Sequence, residues 1–230
     1  MNKFDFVFVD TDSITFCKPG GLTFSNEEQT KLQDSLNSLF PKQIHWEKNF
    51  YAQKVLVLKT KNYVILDPTA KKPLKIKGSA LKASTKEPAL KEFIKEMIDS
   101  MLYDKNNYSE IYFRYAREIL DVKDMKRWAS RKTITQAVLT SPRTNETKVL
   151  AALDGSEYVE GDRVFMFFKE DQSLSLLERF DGDYCKKTLL KKLFNTSLIF
   201  GNVLDVKTIF PNLTLKKNGG LLNEVQSQVS

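Results

Sequence analysis

Two apolar runs flank a short polar segment near the start of the chain. Residues 4–9 (FDFVFV) and 14–17 (ITFC) enclose Asp10-Thr11-Asp12-Ser13. Aromatic and β-branched residues favour strands, and Asp and Ser favour tight turns. The pattern therefore predicts a β-hairpin whose tip carries two carboxylates, Asp10 and Asp12, two residues apart and on one face.

A helix and three strands are predicted after the hairpin. Ser25 and Glu28 form a capping-box sequence ahead of apolar residues at helical spacing, so we expect a helix over residues 26–39. The strand-like runs are residues 44–47, 51–59 and 63–66.

The rest of the chain is richer in helical patterns. Ser84 and Glu87 form a second capping-box sequence before a long amphipathic stretch, and a further helix is expected over residues 109–125. Beyond these, strands are expected over residues 163–169 and 174–180, and helices over residues 145–153 and 183–200. The pattern predicts an α+β fold: a sheet with a packed helix, then a mostly helical part with short strands.

Composition narrows the class of protein. The 230 residues are 41% hydrophobic and 28% charged, which is typical of globular proteins, and no run approaches the roughly 18 apolar residues of a membrane span. Cys17 and Cys185 suggest neither a disulfide framework nor a zinc site, and the single histidine, His45, disfavours histidine-based chemistry. We expect a cytoplasmic protein with no membrane partner.

Positive charge is concentrated near the middle of the chain. The net charge is +7, and five lysines without an acid lie between Lys71 and Lys82. Such a segment can follow a phosphate backbone, although a solvated lysine-rich face would have the same composition. The hairpin carboxylates are also ambiguous taken alone. They suit Mg²⁺, yet Asp often occupies a turn only to hydrogen-bond its own backbone.

The order of the polar motifs resembles that of the B-family, or α-like, DNA polymerases. Asp10-Thr11-Asp12-Ser13 is similar to motif C of the palm domain, and Trp46-Glu47-Lys48 is similar to the segment leading into the last palm strands. Lys59-Thr60-Lys61-Asn62-Tyr63 resembles the KKRY-type segment, with Asn62 in place of arginine, and Lys75-Ile76-Lys77-Gly78 resembles the KxKG motif before the thumb.

The resemblance implies roles for particular residues. Asp12, with Asp10 beside it, would be the catalytic metal-binding acid of motif C, and Glu47 would approach the same cluster unless it is simply an exposed strand residue. The residues implied to contact the primer and template are Lys61, Tyr63, Lys75, Lys77 and Gly78. Because Asn62 replaces arginine, one cationic contact is expected to be missing. The implied domains are the C-terminal part of the palm over residues 1–84, the thumb over 85–215 and a flexible tail over 216–230.

The resemblance also implies a partner. No segment resembles motif A, the fingers or the exonuclease of the family. We therefore expect the small subunit of a split DNA polymerase, active only with a larger chain that completes a two-Mg²⁺ site and acts on primer-template DNA and dNTP. A bacterial, archaeal or viral source would fit, and the tail leaves binding to a sliding clamp open. The alternative is a non-enzymatic duplex-DNA-binding or regulatory module derived from a thumb.

Overall fold

The computed structural model describes residues 5–10, 13–82, 87–140, 148, 150, 158–180, 183–216 and 220–223. The chain divides into two compact units, Met1–Gly78 (unit 1) and Ser79–Ser230 (unit 2). Helices and antiparallel sheets occur together, so the predicted α+β class is confirmed. Among the described residues, no helix has the length and apolar character that crossing a membrane requires.

Unit 1 contains a hairpin, one long helix and a three-stranded sheet. Its elements are β1 (Asp5–Asp10), β2 (Ser13–Cys17), α1 (Asn26–Ser38), β3 (Lys54–Lys59), β4 (Asn62–Leu66) and β5 (Leu74–Lys77). Strand β1 pairs with β2 in an antiparallel hairpin, as predicted, and the sheet has the order β3-β4-β5. Strand β5 was not expected from the sequence, because its lysines alternate with only two apolar residues.

The start of α1 is fixed by local hydrogen bonds. The Ser25 hydroxyl accepts from the Glu28 backbone N–H at 3.2 Å, and the Glu28 carboxylate accepts from the Ser25 N–H at 2.8 Å. The predicted capping box is thus confirmed. The Lys18 ammonium lies 2.7 Å from the same carboxylate, and its hydrogen bond, followed by that of the Ser25 N–H, holds the pKa of Glu28 below its ordinary value of 4.5.

The strand expected over residues 44–47 is wrong, because this segment has no regular secondary structure. Side chains of α1 satisfy its backbone instead of a neighbouring strand. The Trp46 N–H donates to Asn37 Oδ1 at 2.6 Å, and the Trp46 carbonyl accepts from Gln33 Nε2 and Asn37 Nδ2, both at 3.1 Å. Two amide side chains one helical turn apart therefore take the place of a strand ladder.

Unit 2 is mostly helical. Its helices are α2 (Ser79–Lys82), α3 (Pro88–Leu102), α4 (Tyr108–Leu120), α5 (Met125–Trp128), α6 (Gln136–Thr140), α7 (Lys186–Ser197) and α8 (Val206–Ile209). Its strands are β6 (Ser130–Thr133), β7 (Arg163–Phe168), β8 (Leu174–Leu176), β9 (Leu213–Leu215) and β10 (Leu221–Asn223). They form an antiparallel sheet of order β6-β7-β8 and a separate pair of β9 with β10.

The core of unit 2 is built around Phe93 of α3, which is fully buried. Its ring meets four others edge to face, with centroids 5.5–6.5 Å apart: Tyr112, Tyr115, Phe200 and Phe210. Burial raises the pKa of the Tyr112 and Tyr115 hydroxyls, and each has a hydrogen-bond acceptor, the Pro211 carbonyl and the Glu96 carboxylate respectively, at 2.8 Å. Aromatic side chains from distant parts of the sequence thus share one packed cluster.

Ion pairs made by two basic residues, Arg127 and Lys192, link the helical segments of unit 2. Arg127 binds the carboxylates of Glu92 on α3 and Glu118 on α4. Lys192 on α7 pairs with Glu87, a buried residue that immediately precedes α3. Glu87 is the N-cap of α3, so the helix begins at Pro88, and the Ser84 of the predicted second capping box lies outside the described residues.

Several element ends differ from those predicted. The helix expected over residues 109–125 ends at Leu120, and Asp124 caps a separate short helix by accepting from the Arg127 N–H at 3.2 Å. The strand expected over residues 174–180 becomes a 3₁₀ turn after Leu176. The helix expected over residues 145–153 falls, except for two residues, outside the described part. Within the tail expected to be flexible, residues 221–223 form β10.

Candidate nucleic-acid interface and metal site

The hairpin of unit 1 places the predicted motif C at its turn. Asp10 is the last residue of β1 and pairs in register with Ser13, the first residue of β2. Thr11 and Asp12 form the two-residue connection and lie outside the described residues, as does the side chain of Asp10. Both carboxylates therefore stay predictions as metal ligands.

The predicted ligands are chemically suited to Mg²⁺. Carboxylate oxygens are the donors that this ion prefers, and it takes about six ligands in octahedral geometry. The described residues contain no group of three His, Cys, Asp or Glu side chains that could hold a metal. Glu47 is exposed on the irregular segment before β3, and it lines the same groove of unit 1 as Ser13.

Most residues predicted to contact DNA lie at one end of the β3-β4-β5 sheet, and Lys75 lies further along β5 on the same face. Tyr63 pairs in register with Lys77, and Ile65 pairs with Lys75, so Tyr63, Lys75 and Lys77 share one face of the sheet. Lys61 lies in the tight turn between β3 and β4 and has a positive φ of 57°. The three lysines are exposed and Tyr63 is half-buried. We call Lys61, Tyr63, Lys75, Lys77 and Gly78 the basic sheet end.

Gly78 packs directly against the turn that carries Lys61. It has a φ of +113°, and a Cβ atom placed on it would lie 2.2 Å from Asn62 Oδ1 and 2.6 Å from the Lys61 carbonyl oxygen. Both the conformation and the contact require glycine. The turn at Lys61 and the end of β5 are therefore held against each other, which brings Lys61 and Lys77 to the same end of the sheet.

Asn62 has a structural role that the sequence comparison missed. It is buried, and its Nδ2 donates to the Thr60 carbonyl at 2.9 Å, while its Oδ1 faces Gly78. The resemblance implied that Asn62 replaces an arginine and that one cationic contact is missing. The structure shows that the Asn62 side chain is instead a buried amide that closes the turn. The signal available in the sequence was the combination of Asn, which is favoured in turns, with Gly at the end of the next strand.

A nearby acid is fixed away from the basic sheet end. Asp67 directly follows β4, at the end of that strand opposite to Asn62. Its carboxylate accepts a hydrogen bond from the Thr69 hydroxyl at 2.6 Å and another from the Thr69 N–H at 2.9 Å. These two hydrogen bonds lower the pKa of Asp67 below its ordinary value. Asp67 and Lys77 lie at opposite ends of the β4–β5 pair, whereas Lys75 pairs with Ile65, two residues before Asp67.

Comparison with solved structures identifies a similar fold. The chain resembles part of the family B DNA polymerase from the hyperthermophilic archaeon Pyrobaculum calidifontis, with a TM-score of 0.59 at 17% sequence identity. The match covers 87% of this chain and 27% of the polymerase chain, so this chain spans about a quarter of that protein's length. No protein-family model matches the sequence, and the comparison with curated proteins finds no match. The architecture is therefore similar to one part of a family B DNA polymerase.

Proposed function

We propose that the chain supplies the palm and thumb part of a template-directed DNA polymerase. The similarity of its fold to part of a family B polymerase carries this proposal. The motif order agrees with it, because the hairpin, the Lys61 turn and the Lys77-Gly78 segment follow one another in the sequence as they do in that family. The activity, the substrates and the partner chain all belong to the proposal.

In this proposal the basic sheet end binds the sugar-phosphate backbone of the primer and template. Lys61, Lys75 and Lys77 act as point charges on phosphates, and such contacts position a duplex without selecting its sequence. Tyr63, beside Lys77 in the sheet, provides an apolar and hydrogen-bonding surface for the sugar. The absence of a side chain at Gly78 lets the backbone pack closely, which keeps the lysines in place.

The proposed catalytic residues are Asp12 and Asp10 at the hairpin turn, with Glu47 as a further ligand. Bound Mg²⁺ would stabilise the charge on the attacking and leaving oxygens of nucleotidyl transfer. The part of the hairpin in this proposal is to bring both carboxylates to one metal site, since Asp10 and Asp12 are two residues apart in the sequence. Two or three carboxylates leave ligand positions of the metal unfilled. We propose that a larger polymerase chain supplies a further metal-binding carboxylate.

Primer extension tests the catalytic assignment. The assay uses the chain together with a family B polymerase polypeptide that carries motif A and the fingers. Asp12→Ala is expected to lower the extension rate by about 100-fold or more, because a metal-binding carboxylate contributes several kcal/mol to the transition state. Asp5→Ala, an exposed acid on β1, is the control and should keep the wild-type rate. Wild-type extension by Asp12→Ala would refute the assignment and favour the non-enzymatic DNA-binding module.

Binding of primer-template duplex tests the basic sheet end separately. Lys77→Ala should weaken binding several-fold and reduce the slope of log K against log salt by about 1, since one phosphate contact is lost. Lys71→Ala is the matched control, because Lys71 is exposed in the loop at the opposite end of the β4–β5 pair. Fluorescence anisotropy at several salt concentrations measures both quantities. Equal slopes for the wild type and Lys77→Ala would remove Lys77 from the interface.

A further inference from the structure

The β6-β7-β8 sheet of unit 2 has one apolar face and one basic face. Val164 and Met166 of β7 are buried in an apolar cluster. Because side chains alternate along a strand, Arg163 and Phe165 lie on the opposite face. Arg131 of β6 pairs in register with Phe165, so its side chain shares that face with the ring. Two arginines therefore lie on the same face as one aromatic side chain.

Lys126 of the short helix α5 adds a third cation to this face. Its ammonium lies 4.8 Å from the centroid of the Phe165 ring. Lys126 and Arg163 are exposed, whereas Arg131 and Phe165 are half-buried, so the ring can be reached from solvent. We call Lys126, Arg131, Arg163 and Phe165 the basic aromatic face. It combines three positive charges with one partly exposed ring.

The charge of the surrounding segment favours an anionic partner. Residues 123–133 contain five basic residues and one acid, Asp124. The Asp124 carboxylate caps α5 by accepting from the Arg127 N–H at 3.2 Å. The Asp162 carboxylate, just before β7, accepts from the Val159 N–H at 2.9 Å. Both neighbouring acids thus bind local backbone, and a concentration of positive charge of this kind attracts polyanions such as nucleic acids.

We infer that the basic aromatic face binds a single-stranded nucleic acid. Phosphates contact the two arginines and one base stacks on Phe165, which is how single strands are held without sequence selection. The ring favours a single strand over a duplex, because a duplex presents its phosphates and keeps its bases stacked inside. Lys126 lies over the ring in the free chain. A cation over an exposed ring is the weaker contact, so an arriving base replaces the ammonium, which turns to a phosphate.

Binding of a fluorescently labelled oligothymidylate of about 12 nucleotides tests the inference, because such surfaces cover strands of this length. Anisotropy of the full chain at several salt concentrations measures the affinity and its salt slope. Phe165→Ala should weaken binding about tenfold and leave the slope unchanged, because the lost ring carries no charge. Arg163→Ala should lower the slope by about 0.7, since one phosphate contact of a single strand is lost.

Conservative variants separate loss of the ring from loss of the fold. Phe165→Tyr keeps the ring and should bind like the wild type, whereas Phe165→Leu keeps an apolar side chain and should bind as weakly as Phe165→Ala. Circular dichroism should be the same for all three. An abasic oligonucleotide of equal length should bind the wild type as weakly as Phe165→Ala binds oligothymidylate.

Two residues of unit 2 provide matched controls. Tyr103 is 59% exposed and has the Lys105 ammonium 5.8 Å from its ring centroid, but it lies outside the sheet at the end of α3. Arg117 is exposed on α4. Tyr103→Ala and Arg117→Ala should leave the affinity and the slope unchanged, and losses equal to those at Phe165 and Arg163 would overturn the inference.

The remaining outcomes distinguish this inference from the proposed function. Equal oligothymidylate binding by the wild type and Phe165→Ala would overturn the inference. Equal losses by Phe165→Ala on oligothymidylate and on primer-template duplex would also overturn it, since the face would then bind duplex. The face belongs to unit 2 and does not rest on the polymerase assignment, which Asp12→Ala tests by primer extension and which survives either result.

Discussion

The two units of the chain differ in how much apolar surface they bury. In unit 1 the fully buried apolar side chains among the described residues are Leu58, Val64, Ile65 and Leu66, all from β3 and β4. In unit 2 buried apolar side chains come from α3, α4, α7 and the β6-β7-β8 sheet, and they include the rings around Phe93. Unit 2 thus has the core of an independent folding unit, whereas unit 1 buries one sheet and leaves its helix and hairpin half-covered.

The two units also differ in where the predicted site residues lie relative to the buried core. The core of unit 2 consists of contacts within the chain, so its stability depends on its own residues. In unit 1 the predicted DNA contacts lie on the β3-β4-β5 sheet, and the predicted metal ligands belong to the hairpin, whose strand β2 borders an open groove. A substitution in either unit should therefore produce effects of different size and kind.

The largest difference is expected for truncation of apolar side chains. Phe93→Ala in unit 2 should cost about 3–5 kcal/mol of unfolding free energy, because it opens a cavity among four aromatic rings. Leu36→Ala in unit 1 should cost about 1 kcal/mol, since that side chain is already half-exposed. Urea unfolding of both variants measures the difference. Equal losses would contradict the contrast between the units.

A tight backbone contact should make unit 1 sensitive at one glycine. Gly78→Ala should cost about 1–3 kcal/mol and weaken duplex binding, because the new Cβ would overlap Asn62 and the Lys61 carbonyl. Gly161→Ala in unit 2 is the matched control, with a similar φ of +98° but no atom within 4 Å of the added Cβ. It should show a smaller loss and unchanged binding. Thermal unfolding measures the loss of stability, and fluorescence anisotropy measures duplex binding. Equal effects of Gly78→Ala and Gly161→Ala would show that the contact at Gly78 is unimportant.

The smallest expected effect is a pH-dependent change in stability at the start of α1. The pKa of Glu28 is lowered mainly by the Lys18 hydrogen bond. The contribution of its carboxylate to stability is therefore complete above pH 4.5 and is lost as the pH falls through the lowered pKa of the folded state. Glu28→Gln should therefore speed amide hydrogen exchange in residues 26–38 at neutral pH and make little difference in strong acid. Exchange in α3 of unit 2 serves as the internal control. A pH-independent difference in α1 would contradict the assignment to Glu28.

Local patterns in the sequence were enough to predict much of the fold. The α1 capping box was predictable because all its partners lie within four residues, and α3 because its apolar spacing matches its buried face. The hairpin was predictable because strand and turn residues adjoin one another. These elements share the property that the decisive contacts are close in sequence or repeat along one face.

The errors arose where distant side chains decide the backbone. Residues 44–47 have a strand-like composition, yet Gln33 and Asn37 of α1 take up the hydrogen-bonding groups of Trp46. The closing of the Lys61 turn by Asn62 also depends on Gly78, which is adjacent only after β4 and β5 have paired. The predicted DNA contacts were found from motif order, and their convergence on one sheet end followed from strand register.

The aromatic core of unit 2 has a consequence for synthesis of the chain on the ribosome. Phe93 and Tyr112 emerge early, but their partners Phe210 and Pro211 are made about a hundred residues later. Glu87 likewise waits for Lys192, which follows it by 105 residues. Contacts of such high sequence separation slow folding, so the surface of α3 and α4 that packs against Phe210 stays open until about ninety further residues have been made. The nascent chain is thus most prone to aggregation and proteolysis until residues 192–211 have left the ribosome.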